Sequence, residues 1–161
     1  MAETVLTLPE RLERRLMEEA EKEAATLEEL VLKAIEERYG SGDPGSRAEL
    51  HLRLCEKYID ESERLLGEEE YTQASEKACC AAAQIVKAVA VREGRSLRSH
   101  GELHAYVSSI TERLKDRELG RLWRSAASLH QNFYEDWLPP EMVRDGIEDA
   151  KLLVGKLKRL L

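Results

Sequence analysis

The sequence predicts an all-α protein: an antiparallel bundle of about five helices, preceded by a short strand-helix-helix arm. Two observations lead to this prediction. Charged residues make up 35% of the 161 residues and aromatic residues only 5%, and the dominance of Glu, Lys, Arg, Leu and Ala favours helix. Residues 71–90 are dense in alanine and nearly free of charge after Lys77. Such a segment is typical of a central helix that its neighbours approach closely, with residues 122–137 as its expected packing partner.

The arm begins with residues 3–8, ETVLTL, which are partly β-branched, alternate imperfectly and end before Pro9. They predict one strand, and Pro9 suits the first turn of a following helix. Thr26 and Glu29 have the spacing of a capping box, which starts a second helix through Tyr39. A lone strand needs a partner, so the arm predicts pairing between two chains.

This arm resembles the ribbon-helix-helix (CopG/Arc-like) dimerisation and DNA-binding unit, through VLTLPERLERRL and then AEKEAATLEELVLKAI. The resemblance implies that outward strand side chains would contact DNA, here Glu3, Val5 and Thr7. Residues 1–39 contain eleven Glu against six Lys and Arg, a net charge of −5, which is a poor match for a duplex. We therefore expect dimerisation from the arm, while DNA is an unfavourable partner.

A linker follows at residues 40–46, GSGDPGS, which contain three Gly, one Pro and two Ser. This composition ends a helix and permits a hinge. The predicted organisation is therefore an arm over residues 1–39, a linker over 40–46 and a helical bundle over 47–161.

The bundle is predicted from apolar spacing and from helix end signals. Gly67 and Gly94 end helices, Asp116 can cap one, and Pro139 with Pro140 stops another. The expected helices cover about 47–66, 70–93, 100–114, 117–136 and 140–160. The short connections between them imply mostly antiparallel neighbours.

Two stretches of the bundle resemble a known family. They are YIDESERLLGEEEYTQASEKACCAAAQIVKAVA, and SHGELHAYVSSI followed by LWRSAASLHQNFYEDWLPPEMV. This looks like the archaeal PaREP family, whose fold is related to HEPN domains, and the resemblance covers residues 47–161. It implies a HEPN-like bundle built on a long antiparallel helix pair, often dimeric. The wider HEPN group includes metal-independent ribonucleases, toxins paired with antitoxins, and non-catalytic partners of nucleotidyltransferases.

HEPN ribonucleases carry an Arg followed by four to six residues and a His, and this pattern occurs at Arg124 and His130, with Asn132 and Tyr134 beside it. Imidazole can take the proton of a 2′-hydroxyl near neutral pH, and a guanidinium can stabilise charge on the phosphate. On a continuous helix the two side chains lie about 120° apart, so a dimer or a distorted helix would have to bring them together. The alternative is that His130 is a structural histidine.

Two further sets of residues are candidates for ligand contact. Arg95 and Arg98 belong to a local basic patch that could contact nucleic acid. The aromatic side chains Phe133, Tyr134 and Trp137 either pack the end of the bundle or form a site for a base or nucleotide.

Metal and cofactor sites are not predicted. His100 and His104 are one turn apart, a spacing that zinc sites also use, but no HExxH motif is present and a surface cluster is the simpler interpretation. The sequence contains no nucleotide-binding glycine loop. Its three cysteines, Cys55, Cys79 and Cys80, include no CxxC pair and are expected to be small buried thiols.

The functional expectation is a non-catalytic HEPN-like interaction module, acting as a homodimer or higher homo-oligomer that binds a protein partner or a nucleotide or nucleic-acid ligand. The alternatives are a metal-independent endoribonuclease using Arg124 and His130, and a DNA-binding regulator using the N-terminal strand. No apolar run approaches the length of a membrane span, so the expected location is the cytoplasm.

Overall fold

The structure is a computed structural model that describes residues 4–40 and 42–161. The described residues form seven helices and no strand. The helices are α1 (Glu10–Lys22), α2 (Leu27–Tyr39), α3 (Pro44–Gly67), α4 (Tyr71–Arg92), α5 (His100–Leu114), α6 (Arg117–Glu135) and α7 (Pro140–Lys158). The all-α prediction is confirmed, and α3–α7 supply the five helices expected after the linker.

The predicted strand-helix-helix arm is wrong, because residues 4–9 precede α1 without forming a strand. A strand exists only where a second backbone segment completes its hydrogen-bond ladder, and the described part of this chain supplies none. Val5 and Thr7 are exposed in this segment, whereas Glu3 lies outside the described residues. The DNA-binding alternative stays a prediction.

The chain divides into two compact units, and the first contains α1 and α2. Thr26 caps α2 in the predicted capping box: its hydroxyl accepts from the Glu29 backbone N–H at 3.2 Å, while the Glu29 carboxylate accepts from the Thr26 N–H at 2.8 Å. Lys33 on α2 forms an ion pair at 3.2 Å with Glu23, just after α1. No residue of α2 is buried, although the helix carries several Leu, Val and Ile side chains.

The second unit contains α3, α4, α6, α7 and α5 from Glu102 onward, and α4 is its central helix. Helix α4 contacts α3, α6 and α7. Twelve of its 22 residues are buried, and Ala81 and Ala82 are at most 1% exposed. Small side chains allow this close approach on several sides, so the prediction of an alanine-dense central helix is confirmed.

Contacts between α3 and α4 show that these two helices run antiparallel. On α3 and α4, His51 pairs with Gln84, and the Ser62 hydroxyl donates to the Ala74 carbonyl at 2.9 Å. In the first pair, His51 Nδ1 lies 2.7 Å from the Gln84 side-chain oxygen, and both residues are buried. Buried polar groups need such partners, so these pairs fix the register of α3 against α4.

Helix α3 begins at Pro44, three residues before the expected start at Arg47. The reason is local, since the Asp43 carboxylate accepts from the Ser46 backbone N–H at 2.9 Å and caps the helix. Pro44 occupies the first helical position, where a missing N–H costs nothing.

Helix α5 is held to the rest of the second unit by side-chain contacts at both ends of its buried face. The Trp123 indole N–H on α6 donates to His104 Nδ1 at 2.9 Å. Arg113 forms an ion pair with Glu93, just after α4, which holds the pKa of Glu93 below its ordinary value. None of the helices within the described residues combines the length and apolar composition needed to cross a membrane.

Candidate functional site

The C-terminal end of α6 is shaped by Asn132, whose side chain is 1% exposed. Asp136 follows the helix in the left-handed region, with φ 46°, and its backbone N–H donates to the Asn132 carbonyl at 2.9 Å. The Asn132 side-chain oxygen accepts from the backbone N–H groups of Trp137 at 3.1 Å and Leu138 at 2.8 Å. These bonds give acceptors to two backbone N–H groups that follow α6, and they fix the backbone at Trp137.

The same asparagine joins this turn to the start of α4. Its amide group donates to the Ser75 hydroxyl at 2.9 Å, and that hydroxyl donates to the Tyr71 carbonyl at 2.9 Å. A second bond runs from the Thr72 hydroxyl to the Asp136 carboxylate at 2.7 Å. Asn132 is therefore a structural residue in this chain, and its side chain is already engaged at both ends of the amide.

A surface groove of about 390 Å³ lies beside this turn. We call it the aromatic groove, and its lining residues are His130, Gln131, Tyr134, Glu135 and Trp137. The first four occupy positions i, i+1, i+4 and i+5 of α6, which share one side of a helix, and Trp137 follows the helix end.

Tyr134 in the aromatic groove packs edge to face against His130 and against Phe133, which lies beside the groove. The centroids of His130 and Tyr134 are 5.3 Å apart with an interplanar angle of 80°, and Phe133 and Tyr134 are 5.0 Å apart at 72°. Tyr134 is nevertheless 54% exposed and Trp137 62% exposed. These are the two exposed aromatic residues in the described part of the second unit, so its accessible aromatic surface is concentrated here.

Arg124, the second member of the candidate catalytic pair, does not line the aromatic groove. It lies on the same uninterrupted helix as His130, six residues earlier, so the two Cα positions are separated by about 9 Å along the axis and about 120° around it. The Arg124 guanidinium instead lies near Gly120, on the preceding turn. Arg124 is exposed and forms no ion pair within residues 4–40 and 42–161. A catalytic role for the pair stays a prediction.

The residues suggested for nucleic-acid contact are divided between the two units. Val5, Thr7 and Arg98 belong to the first unit, which includes residues 98–101, and Arg95 belongs to the second. The Arg95 guanidinium carbon lies 5.1 Å from the centroid of the Tyr106 ring. Burial is the main cause that raises the pKa of Tyr106. Arg95 thus has a structural contact that holds its guanidinium over a buried aromatic ring.

Thiol and metal chemistry find little support. Burial raises the pKa of Cys55 to about 12 and also raises that of Cys79, whose neighbours include the His130 backbone. Thiols that stay protonated are poor nucleophiles. The described residues contain no group of three or more His, Cys, Asp or Glu placed to hold a metal ion, and His104 Nδ1 already accepts from Trp123.

Of the three aromatic residues that the sequence suggested, Tyr134 and Trp137 line the groove and Phe133 does not. The sequence did not suggest Gln131 and Glu135 as groove residues. The available signal was the i, i+4 spacing from Gln131 to Glu135, parallel to that from His130 to Tyr134. The structural use of Asn132 had no signal of its own, because an asparagine inside a helix gives no indication of which distant backbone it will bind.

The helical bundle that carries the groove belongs to a described class of proteins. A family model, the archaeal PaREP1/PaREP8 family, matches residues 50–154, which is most of α3 through most of α7. The chain therefore belongs to the PaREP1/PaREP8 family. No curated protein matches the chain significantly.

Proposed function

We propose that this chain is a non-catalytic interaction module with a HEPN-like bundle, and that it binds its ligand at the aromatic groove. The observation that supports this most directly is the exposure of Tyr134 and Trp137 in the groove. Asn132 holds the backbone of this groove in place by its bond to the Trp137 N–H. Exposed aromatic side chains in a concave, ordered site are typical of binding surfaces. The two longest helices, α3 and α4, form the antiparallel pair that a HEPN-like bundle requires.

The proposed module acts as a homodimer or a higher homo-oligomer. Support comes from the first unit, where α2 has no buried residue and Ile35 and Tyr39 are 50% and 85% exposed. A helix with this much apolar surface gains stability when a second chain covers it. Multi-angle light scattering should report at least twice the chain mass of 18.4 kDa. A strictly monomeric mass at micromolar concentrations would contradict this part of the proposal.

A metal-independent endoribonuclease is the second candidate function. It is favoured by one observation: His130 lines an open groove. Catalysis would also need the Arg124 guanidinium within reach of the same phosphate, which a second chain would have to supply.

An RNA cleavage assay in EDTA separates the two functions. The non-catalytic module should leave single-stranded RNA intact at protein concentrations where ribonucleases degrade it. Cleavage that survives EDTA and disappears in both His130→Ala and Arg124→Ala would overturn the proposal. Arg121→Ala is the matched control, because Arg121 is an exposed arginine of the same helix and forms an ion pair with Asp149.

A further inference from the structure

We propose that the aromatic groove receives a cationic side chain, arginine or lysine, from a basic segment of a partner protein. This inference rests on the proposed function, because it names the chemistry of the ligand that the interaction module binds. Three features of the groove point to a cation: its aromatic surface, its charge and the rigidity of its frame.

The aromatic surface is the first feature. Trp137 and Tyr134 present two accessible ring systems to one groove. A guanidinium or ammonium group over such a face gains about 0.5–1 kcal/mol at an exposed site and about 2 kcal/mol when water is excluded, with Trp the strongest ring. Arginine also stacks flat on aromatic rings, so the groove offers the type of surface that basic side chains prefer.

The charge of the groove is the second feature. Glu135 is among its lining residues, which include neither lysine nor arginine. The carboxylate of Asp136 lies on the adjoining turn. A phosphate group entering this groove would meet the Glu135 carboxylate and no lining lysine or arginine, whereas a basic side chain would be attracted.

The rigid frame is the third feature. The Trp137 backbone N–H is bound by Asn132, which is itself bound to Ser75 on α4. Tyr134 packs edge to face against both His130 and Phe133. Side chains that are already ordered lose little conformational freedom on binding. The volume of about 390 Å³ is at the small end of ligand sites and suits one or two extended basic side chains.

A partner protein is the source to which we assign this cation. Of the net charge of −7, residues 1–39 carry −5 and the residues that follow carry −2. Both parts are acidic, so each favours the encounter with a basic segment over that with an acidic one. The groove is open and lies on the bundle surface, so a side chain can enter while the peptide backbone that bears it stays outside.

The test is a titration of the full chain with acetyl-hexaarginine amide and with AMP, by isothermal calorimetry in 150 mM NaCl. The peptide should bind, and Trp137→Ala and Glu135→Gln should each weaken it at least fivefold. Glu49→Gln is the matched control, because Glu49 is an exposed carboxylate at the start of α3, at the opposite end of the bundle. Glu49→Gln removes the same charge as Glu135→Gln and should change the dissociation constant by less than twofold. The comparison separates binding at the groove from general attraction to an acidic protein.

Two results would overturn this inference. In the first, the peptide binds, but Trp137→Ala and Glu135→Gln lower its affinity no more than the control Glu49→Gln does. The other is tighter binding of AMP than of the peptide, with AMP binding lost in Trp137→Ala; the chain would then be an interaction module with a different ligand. Failure of the proposed function itself would be seen separately, as RNA cleavage in EDTA. Circular dichroism of each variant verifies that the bundle remains folded.

Discussion

Two glycines of α7 offer a direct test of how tightly α6 and α7 pack. A Cβ added at Gly146 would lie 2.7 Å from Leu129 Cδ2 and 3.1 Å from its Cγ, whereas a Cβ added at Gly155 would meet nothing within 4 Å. Leu129 is fully buried, so it can move only by repacking the core. Replacing each glycine with alanine therefore makes the same chemical change in the same helix, but the new methyl group has different neighbouring atoms at the two positions.

The expected magnitudes follow from two opposing terms. Alanine in place of glycine inside a helix gains about 1 kcal/mol, and overpacking a filled core costs about 1–3 kcal/mol. Gly155→Ala should therefore stabilise the chain by about 1 kcal/mol, while Gly146→Ala should lie between no change and a loss of about 2 kcal/mol. The helix term is common to both variants, so their difference, about 1–3 kcal/mol, measures the packing cost alone.

Urea denaturation followed by far-ultraviolet circular dichroism measures this difference as a shift in the midpoint at constant slope. Equal stabilisation by the two alanines would refute the close contact between Gly146 and Leu129. A second variant adds Leu129→Ala, which removes the crowded atoms. In that background Gly146→Ala should become stabilising, and a persistent loss would show that its cost arises elsewhere.

Two further predictions concern the ends of α6. Asn132→Ala leaves the two backbone N–H groups after the helix without their acceptor and should lower the free energy of unfolding by about 2–4 kcal/mol; the exposed neighbour variant Gln131→Ala should stay within about 0.5 kcal/mol of wild type in the same urea titration. At the other end, a hydrogen bond from Lys156 holds the pKa of Asp116 below its ordinary value. A carboxyl group whose folded pKa is depressed adds stability above the unfolded pKa of about 4 and loses it as the pH falls through the lower folded value. Asp116→Asn keeps the helix cap, so the urea midpoint of this variant should be below that of wild type at pH 7 and approach the wild-type midpoint below about pH 3. A difference between the two midpoints that is constant with pH would contradict a stabilising effect of the ionised Asp116 carboxylate.

Local signals in the sequence were sufficient to place most helix ends. Asp116 caps α6 through the Leu119 backbone N–H at 3.2 Å, and Thr26 with Glu29 caps α2 as their spacing predicts. Helix α5 begins and ends at the expected residues. These signals succeed because a cap is a contact between residues three apart, which sequence separation alone determines.

The strand prediction failed because a strand depends on a distant partner, not on residues nearby in the sequence. Residues such as Val5 and Thr7 have a high β propensity, but propensity describes a side chain on a sheet that must already exist. Whether a second segment lies alongside is a property of the whole fold. The strand predicted for residues 3–8 therefore rested on side-chain preference alone, which does not supply a pairing partner.

The candidate site shows the same division between local and distant information. The aromatic residues at the end of α6 could be grouped from their positions in the sequence, because Tyr134 and Trp137 are three residues apart. The contact of Asn132 with Ser75 spans 57 residues and depends on the pairing of α6 with α4, which periodicity cannot specify. The same holds for Gly146, whose role is visible only once Leu129 is placed beside it.

The bond between Ser75 and Asn132 also has a genetic consequence. Ser75 is fully buried, so a ligand in the groove never touches it, yet the backbone of Trp137 is tied to it through a single intervening side chain. Variation at the start of α4 can therefore retune what the surface recognises while every residue of that surface is inherited unchanged.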